Sequence, residues 1–415
     1  MKTIELTLTG MANGGAALGR DDQDRVVFVP QAITGERVEV EIVEDKKRYA
    51  HAQLRQVLEA APSRITPRCP HFGPCGGCQY QHIEYQAQLQ FKESIIRDQL
   101  GRIAHLPNAP IRPILPNPNP WHYGLEVTFS PTSEGEPGFW SPQLGRVMEI
   151  ETCYIIRPSL LALFEDMDLA LPGMRHVTLR TNDSDALLVA LETEDEEAPA
   201  METDLPVSVA LVLADGTAVN LVGDNYLVQT VKGRDFRVSA ASFFYNNTAA
   251  AEMVIDTVLE FAAGYKPSLS GQETVLELFG GVGVLTSFLA DGAKEVVTVE
   301  ANADSVEDMA VNLETAENVT LYQGLVEEVL PLLTLSPDIM VLDPPPSGLP
   351  VEVLDEIGRL SPPRLIYSSS DIATLARDGR RLTESGYHLT TLQPIDTFPQ
   401  TYQVQTISLW TLTSA

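Results

Sequence analysis

The sequence has little positive charge. Its 415 residues include 28 Lys and Arg against 57 Asp and Glu, which gives a net charge of −29 at pH 7. Such a surface repels a phosphate backbone except at local patches, and a solvated, solubilising surface explains the acidic excess as well. The first 115 residues carry 14 cations against 13 acids, and the remaining 300 carry 14 against 44. Contact with a phosphate backbone is therefore expected in the first part or at local patches.

Long apolar runs are absent as well. The longest candidate, residues 207–222, is interrupted by Asp215 and Asn220, whereas a membrane-spanning helix needs about 20 apolar residues. The opening MKTIELTLTG has no apolar core of the kind found in signal peptides. We therefore expect a cytoplasmic monomer without membrane contact.

Cysteine is scarce, with four in the chain, and a cytoplasmic location disfavours disulfides. Three lie within ten residues, Cys69, Cys75 and Cys78, on a segment rich in Gly and Pro, and Cys153 follows. Four thiolates could bind a zinc ion or a [4Fe–4S] cluster, and spacing alone does not choose between them. Unliganded thiols are the alternative, although a Cys-x2-Cys in a Gly-rich loop favours metal binding.

The chain divides into three parts by pattern. Residues 1–60 contain short strands between turns, which predicts a small barrel. Residues 61–240 predict a mostly β domain with a helix over 85–100 that could pack on the C-terminal domain, and 108–120 form a Pro- and Asn-rich linker. In 241–415 strands and helices alternate, which predicts a doubly wound α/β domain.

A short basic run, KKRYAH at 46–51, lies within the predicted barrel. Cations next to aromatic rings suit single-stranded nucleic acid, because cations contact phosphates and rings stack on bases. A solvated hairpin tip explains the same residues equally well, so both interpretations stay open.

The stretch 274–300 has the order strand, Gly-rich turn, helix, strand and acid. Gly280, Gly281 and Gly283 follow the first strand, and Glu300 ends the second. Glycines allow a ligand to approach the backbone, and an acid at this place can accept hydrogen bonds from ribose hydroxyls. The pattern predicts a nucleoside-containing cofactor; a turn without ligand is the alternative.

Motifs along nearly the whole chain resemble those of the RNA uracil-5 methyltransferases that use S-adenosylmethionine. The type that is similar carries an N-terminal TRAM domain and a [4Fe–4S] cluster. The motifs, in chain order, are MANGGAALGR at 11–20, CPHFGPCGGCQYQH at 69–82, SFFYNN at 242–247, LDPPPSG at 342–348, YSSSDIATLARD at 367–378 and FPQTYQVQT at 398–406.

This resemblance implies a Rossmann-like class I methyltransferase domain, an OB-like TRAM barrel that binds RNA, and a central, mostly β iron–sulfur domain. It implies Cys69, Cys75, Cys78 and Cys153 as ligands of a [4Fe–4S] cluster, with zinc as the second choice. Ribosomal RNA is the implied partner rather than transfer RNA, because the transfer-RNA members generally lack both the barrel and the cluster.

The resemblance also implies a cofactor site for S-adenosylmethionine. Tyr245 replaces a glutamine of the family, and for Asp343 a helix-capping role is the alternative. The implied cofactor contacts are Tyr245, Phe279, Gly281, Gly283, Glu300 and Asp343.

Catalysis in this family is covalent: a cysteine adds to uracil C6, and a glutamate later removes the C5 proton. The aligned residues here are Ser370 and Gln405. A serine hydroxyl stays protonated at neutral pH, and a glutamine amide cannot accept a proton. Three hypotheses remain: uracil methylation by a rescued mechanism, methylation of a different acceptor atom, or RNA binding without catalysis. The resemblance implies the first, whereas the chemistry favours the third.

Overall fold

A computed structural model of the chain describes residues 2–132, 136–166, 174–193, 203–214 and 216–413. This described part forms a closed barrel, a central seven-stranded sheet with a two-stranded ribbon, and a second seven-stranded sheet flanked by helices. Within it, no helix is both long and apolar enough to span a membrane.

The first five strands close into a barrel in the order β1-β2-β3-β5-β4. Apolar and charged residues alternate along β4, so that Val38, Val40 and Ile42 point inward and are buried. This confirms the predicted N-terminal β-barrel. Its strands are β1 (Thr3–Met11), β2 (Ala17–Arg20), β3 (Val26–Val29), β4 (Arg37–Asp45) and β5 (Tyr49–Glu59).

A buried carboxylate ties the barrel to the segment that follows it. Glu36 has no exposed surface, and its Oε2 accepts hydrogen bonds from the Ile33 backbone N–H at 2.9 Å and from Arg64 Nη2 at 2.8 Å. Arg64 also donates to the carbonyl of Gln31. Because a buried charge is tolerated only when it is paired, this contact fixes where the chain leaves the barrel.

The central part contains helix α1 (Tyr85–Arg102), which covers the helix expected over 85–100, and a mixed sheet of order β12-β11-β10-β9-β6-β7-β8. A second helix, α2, lies in a part for which only strands were predicted, and it buries Leu160 and Leu163. The further elements are β6 (Glu126–Pro131), β7 (Pro137–Ser141), β8 (Arg146–Glu149), α2 (Pro158–Asp166), β9 (Met174–Thr181), β10 (Leu187–Thr193), β11 (Val207–Val212), β12 (Ala218–Val222) and the ribbon β13 (Tyr226–Val231) with β14 (Arg234–Ser239).

The C-terminal sheet has the order β17-β16-β15-β18-β19-β21-β20, with β21 antiparallel to both of its neighbours. The strands from β15 to β19 are parallel, so their carboxyl ends meet at one edge. The elements are α3 (Thr248–Ala262), β15 (Thr274–Leu278), α4 (Val284–Ala290), β16 (Glu295–Glu300), α5 (Ala303–Asn312), β17 (Val319–Gln323), α6 (Val326–Val329), β18 (Ile339–Leu342), α7 (Val351–Leu360), β19 (Arg364–Ser369), α8 (Ile372–Glu384), β20 (Tyr387–Ile395) and β21 (Gln405–Leu412).

The segment 108–120, predicted as a linker, instead runs along β20. Backbone N–H groups of Arg112 and Leu115 donate to the carbonyls of Leu392 and Pro394, at 2.9 and 3.0 Å. The prolines of this segment lack N–H donors, which limits the pairing to isolated bridges. The segment thus extends the C-terminal sheet rather than separating two domains.

Helix α1 joins the C-terminal domain, where it packs against α8. Lys92 and Asp396 are both fully buried, and Lys92 Nζ lies 2.5 Å from Asp396 Oδ1. Lys92 also donates to the carbonyl of Phe398, and Tyr85 Oη donates to Asp396 Oδ2 at 2.8 Å. Burial lowers the pKa of Lys92, and the adjacent carboxylate opposes this. The pair fixes the segment between β20 and β21 on α1.

Replacement of one partner of this pair should be more harmful than replacement of both. Lys92→Met leaves Asp396 buried without its cation, which should lower the free energy of unfolding by about 3–5 kcal/mol. Adding Asp396→Asn removes the uncompensated charge and keeps an acceptor for Tyr85, so part of the loss should be recovered. Urea unfolding followed by tryptophan fluorescence measures both variants. A double variant as unstable as Lys92→Met alone would contradict this account.

Candidate active site

The Gly-rich turn after β15 is shaped by close packing on one side and open space on the other. A Cβ added at Gly280 would lie 2.3 Å from Thr298 Oγ1 and 2.8 Å from Met309 Cε, so only glycine fits there. Gly281 has a φ of 55°, and no atom lies within 4 Å of the place where its Cβ would be. A ligand can therefore approach the backbone at Gly281.

Glu300, at the carboxyl end of β16, lies against this turn. Its Oε2 accepts from the Gly281 N–H at 2.9 Å, and its Oε1 accepts from Ala301 and Asn302 at 2.8 and 2.7 Å. A carboxylate offers roughly four acceptor positions, so about one remains for a hydroxyl of a bound ribose. Phe279, just before the turn, has a φ of 65°, which is strained for a non-glycine residue. These residues fit a nucleoside-containing cofactor.

Gly283 ends the turn and begins α4. Its φ is 86°, and an added Cβ would lie 2.8 Å from Met309 Cγ. This glycine is required by backbone conformation and packing, whereas the open approach is at Gly281. The two glycines predicted as cofactor contacts thus have different structural roles.

Asp343, at the carboxyl end of β18, faces Tyr245. Tyr245 Oη donates to Asp343 Oδ2 at 3.5 Å, and burial raises the pKa of Asp343 to about 6. Burial also raises the pKa of Tyr245 well above its usual range. Helix α7 starts only at Val351, so Asp343 does not cap it. A carboxyl group with this pKa can change protonation state close to neutral pH.

The two residues that the resemblance implies as catalytic, Ser370 and Gln405, lie at the same sheet edge. Gln405 begins β21, and its Nε2 donates to Ser368 Oγ at 2.7 Å. Ser370 follows β19 and is half-buried; among the described residues its hydroxyl has no hydrogen-bond partner. The neighbouring Asp371 is engaged as the N-cap of α8, where its Oδ1 accepts from Ala373 and Thr374. Neither Asp371 nor any other described group accepts a hydrogen bond from the Ser370 hydroxyl.

A small cavity of about 40 Å³ borders Ser370. Loop residues Tyr402 and Gln403 line it, and so does Asn13, which belongs to the barrel. A Cβ added at Gly15, in the same barrel turn, would lie 3.4 Å from Tyr402 Cβ. This contribution of the barrel was not predicted, because no local pattern marks a turn that packs against residues about 390 positions away.

The loop that leads to Gln405 is fixed by Gln400. This residue has a φ of 69°, and its carbonyl accepts from the backbone N–H groups of Gln79 and Tyr80 at 3.1 and 2.9 Å. Gln88 on α1 donates to Gln400 Oε1 at 3.0 Å and accepts from the Gln400 N–H at 3.1 Å. The cysteine segment, α1 and the loop of the candidate active site are thereby one connected unit.

The four cysteines line one cavity of about 160 Å³. None forms a disulfide, and burial raises the pKa of Cys78 to about 12, so without a cation this thiol stays protonated. Bound metal would reverse that preference, because a coordinating thiol is deprotonated. Across the described ranges, no three His, Cys, Asp or Glu side chains lie close enough together to hold a single metal ion. The cavity therefore offers four sulfurs that are not arranged around one ion.

Comparisons with known proteins agree on one family. The TRAM domain matches residues 1–54. An uncharacterized RNA methyltransferase of Thermosynechococcus vestitus is 33% identical over 99% of this chain and 98% of its own length. Another, from Synechocystis, is 33% identical over 97% and 94%. The crystal structure of the Pyrococcus abyssi tRNA (uracil-54, C5)-methyltransferase with S-adenosyl-L-homocysteine has a TM-score of 0.74 at 20% identity and covers 98% of this chain and all of its own. The predicted methyltransferase fold with a TRAM barrel is confirmed.

Glu277, buried beneath the Gly-rich turn, should make stability depend on pH. Burial raises its pKa from an ordinary 4.5 to about 7. Folding therefore favours the protonated Glu277 carboxyl. The stability that this group contributes is fully present below about pH 4.5 and is lost as the pH rises through about 7. Relative to wild type, Glu277→Gln should gain about 3 kcal/mol in unfolding free energy between pH 4.5 and pH 8.

Urea unfolding at several pH values measures this gain, and Glu295→Gln, an exposed carboxylate on the adjacent strand, is the control. A difference between Glu277→Gln and wild type that stays constant with pH would contradict the assignment.

Proposed function

This chain belongs to the S-adenosylmethionine-dependent RNA methyltransferases that carry a TRAM domain, and we propose that it binds cofactor and RNA without covalent uracil-C5 chemistry. One observation carries the proposal. At the position of the family's base, Gln405 donates a hydrogen bond to Ser368, so it acts as a donor where a proton acceptor is required.

The nucleophile position supports the same conclusion. Conjugate addition to uracil needs an ionised or base-activated nucleophile. Ser370 carries a hydroxyl in place of a thiol. The acid beside it, Asp371, uses its Oδ1 to cap α8. Nucleophile and base act as a unit, so loss of both should lower the rate by several orders of magnitude.

Cofactor binding is proposed at the carboxyl edge of the sheet. Glu300 would accept from the ribose, and the open backbone at Gly281 would admit the cofactor; Phe279 and Gly283 shape the turn. Asp343 and Tyr245 would form the far wall. When bound, S-adenosylmethionine supplies an electrophilic methyl group.

A second candidate function is methyl transfer to a different acceptor atom. Asp343 lies beside Tyr245 at the edge where the cofactor would bind, and its pKa of about 6 leaves a carboxylate at neutral pH. Such a carboxylate can accept a hydrogen bond from an exocyclic amino group, which is nucleophilic without covalent activation.

We further propose that Cys69, Cys75, Cys78 and Cys153 hold a [4Fe–4S] cluster. The shared cavity supports a joint role for the four thiols, and the choice of a cluster over zinc rests on the family resemblance. Ribosomal RNA as the bound class, a cytoplasmic location and a monomeric state remain proposals from the sequence.

Restoring the family's residues should restore its chemistry. RNA containing 5-fluorouridine traps the covalent adduct, because no C5 proton is available for elimination. Wild type should form no adduct that survives denaturing electrophoresis, whereas Ser370→Cys with Gln405→Glu should form one and should transfer labelled methyl groups to unmodified ribosomal RNA several orders of magnitude faster.

The matched control is Ser369→Cys with Gln405→Glu, which places the thiol one residue earlier, on buried β19. Wild-type methylation of uracil C5 that Ser370→Ala abolishes would overturn the main proposal. Labelled methyl groups on an amino nitrogen of RNA would instead support the second candidate. Calorimetry without RNA tests cofactor binding separately.

The cluster proposal predicts about four irons per chain and broad visible absorbance in protein purified without oxygen. Cys75→Ser should lose most of the iron and lower thermal stability, because a ligand is removed. Thr152 lines the same cavity but is not one of the proposed ligands, so the control variant Thr152→Ala should keep the iron. One zinc per chain and no iron would contradict the proposal.

A further inference from the structure

One outer face of the barrel is aromatic. Strands β3 and β5 run parallel and pair Val26 with Tyr49 and Phe28 with His51. Side chains alternate along both strands, and the intervening residues are buried in the barrel. Phe28, Tyr49 and His51 therefore project outward together, although Phe28 lies outside the basic run noted in the sequence.

The three rings form a contiguous group. Phe28 and His51 are stacked, with centroids 5.3 Å apart and planes at 26°. Tyr49 stands edge-on to both, with its centroid 6.2 Å from that of Phe28 and 5.5 Å from that of His51. Tyr49 is 39% exposed. Rings held in this way lose little conformational freedom when a planar group stacks on them.

Two cations at the neighbouring hairpin tip have no partner. Glu44 is paired with Lys46, at 2.9 Å, and also lies 3.8 Å from His51 Nε2; Asp45 is paired with Arg25, which pairs with Asp21 as well. Lys47 and Arg48 are exposed and make no ion pair or hydrogen bond within the part of the chain that the structure describes. Four cations, Arg25, Lys46, Lys47 and Arg48, thus face three acids, Asp21, Glu44 and Asp45, and this group keeps one net positive charge on an otherwise acidic protein.

The rings lie between this tip and the rest of the molecule. Ala17 pairs with Val29 and Arg20 pairs with Val26, so the turn with Asn13 is at the opposite end of the strands from the tip. That turn borders the cavity at Ser370. A chain that follows the rings away from the tip is therefore directed toward the end of the barrel that meets the candidate active site.

We propose that Phe28, Tyr49, His51, Lys47 and Arg48 form a binding face for single-stranded RNA. Unpaired bases would stack on the exposed rings, and Lys47 and Arg48 would contact the adjoining phosphates. The inference rests on the proposed function and extends it, because it names which surface holds the RNA and in which form.

The test is fluorescence anisotropy with a labelled single-stranded oligouridylate and the full chain. Tyr49→Ala should weaken binding about tenfold, because one stacking surface is lost, while Tyr49→Phe should bind like wild type. Lys47→Ala with Arg48→Ala should lower the slope of log Kd against log salt by about 1.4, since roughly 0.7 is lost per phosphate contact on a single strand.

Tyr265→Ala is the matched control, because Tyr265 is exposed, at 53%, and its neighbour Gly264 lies against Arg364 at the amino end of β19, the opposite edge of the sheet from the cofactor site. Calorimetric binding of S-adenosylmethionine should be equal in all variants, which shows that each is folded. A duplex of the same length should bind more weakly, because its bases are not available.

Unchanged binding by Tyr49→Ala, or equal affinity for duplex and single strand, would overturn the proposal. A lower salt slope in the Lys47→Ala, Arg48→Ala variant, with no effect of Tyr49→Ala, would mean that binding is purely electrostatic. That result would also overturn the proposal. Each of these results leaves the cofactor and adduct measurements untouched, so failure of this face is distinguishable from failure of the proposed function.

Discussion

The buried pair of Lys92 and Asp396 is the contact on which the arrangement of this molecule depends. It joins a helix in the first third of the chain to the loop between the last two strands, and that loop leads to Gln405. A charge that is buried away from solvent is tolerated only beside its partner. The helix and the loop must therefore pack together in the same folding step. The hydrogen bonds of Gln400 with Gln88 and with the cysteine segment then fix the remaining freedom of the loop.

This arrangement shows how a site could keep its shape without the family's catalytic residues, as we propose. Gln405 is buried and hydrogen-bonded, and Asp371 caps a helix. Both residues therefore contribute to the folded structure whether or not the protein catalyses a reaction. The cofactor side differs, because Glu300 still has acceptor capacity and Gly281 still faces open space. Under the proposed function, the cofactor edge would still bind its ligand, whereas Ser370 and Gln405 would not activate uracil.

Local patterns predicted much of the fold. Alternation in β4 indicated the barrel, and the Gly-rich turn with Glu300 indicated the α/β domain and its ligand edge. Helix α2 was missed in a part dominated by strands, and the segment taken as a linker pairs with β20. Contacts such as that of Asn13 with the cavity join residues hundreds of positions apart, and a single sequence contains no local signal for them. The sequence indicated only part of the aromatic face, the rings of the 46–51 run, because Phe28 is brought beside them by the pairing of β3 with β5.

The position of the turn at Asn13 and Gly15 limits how freely the barrel can be exchanged. Gly15 leaves room for Gln79 in the cysteine segment, and Asn13 closes one side of the cavity at Ser370. A barrel transplanted from a relative would bring its own turn to that wall. A bulkier residue at position 15 would press on Gln79, whose backbone N–H holds the Gln400 carbonyl of the loop. Recombination between relatives should thus succeed only when the turn and the loop are inherited together, so the barrel is not an independently inherited module.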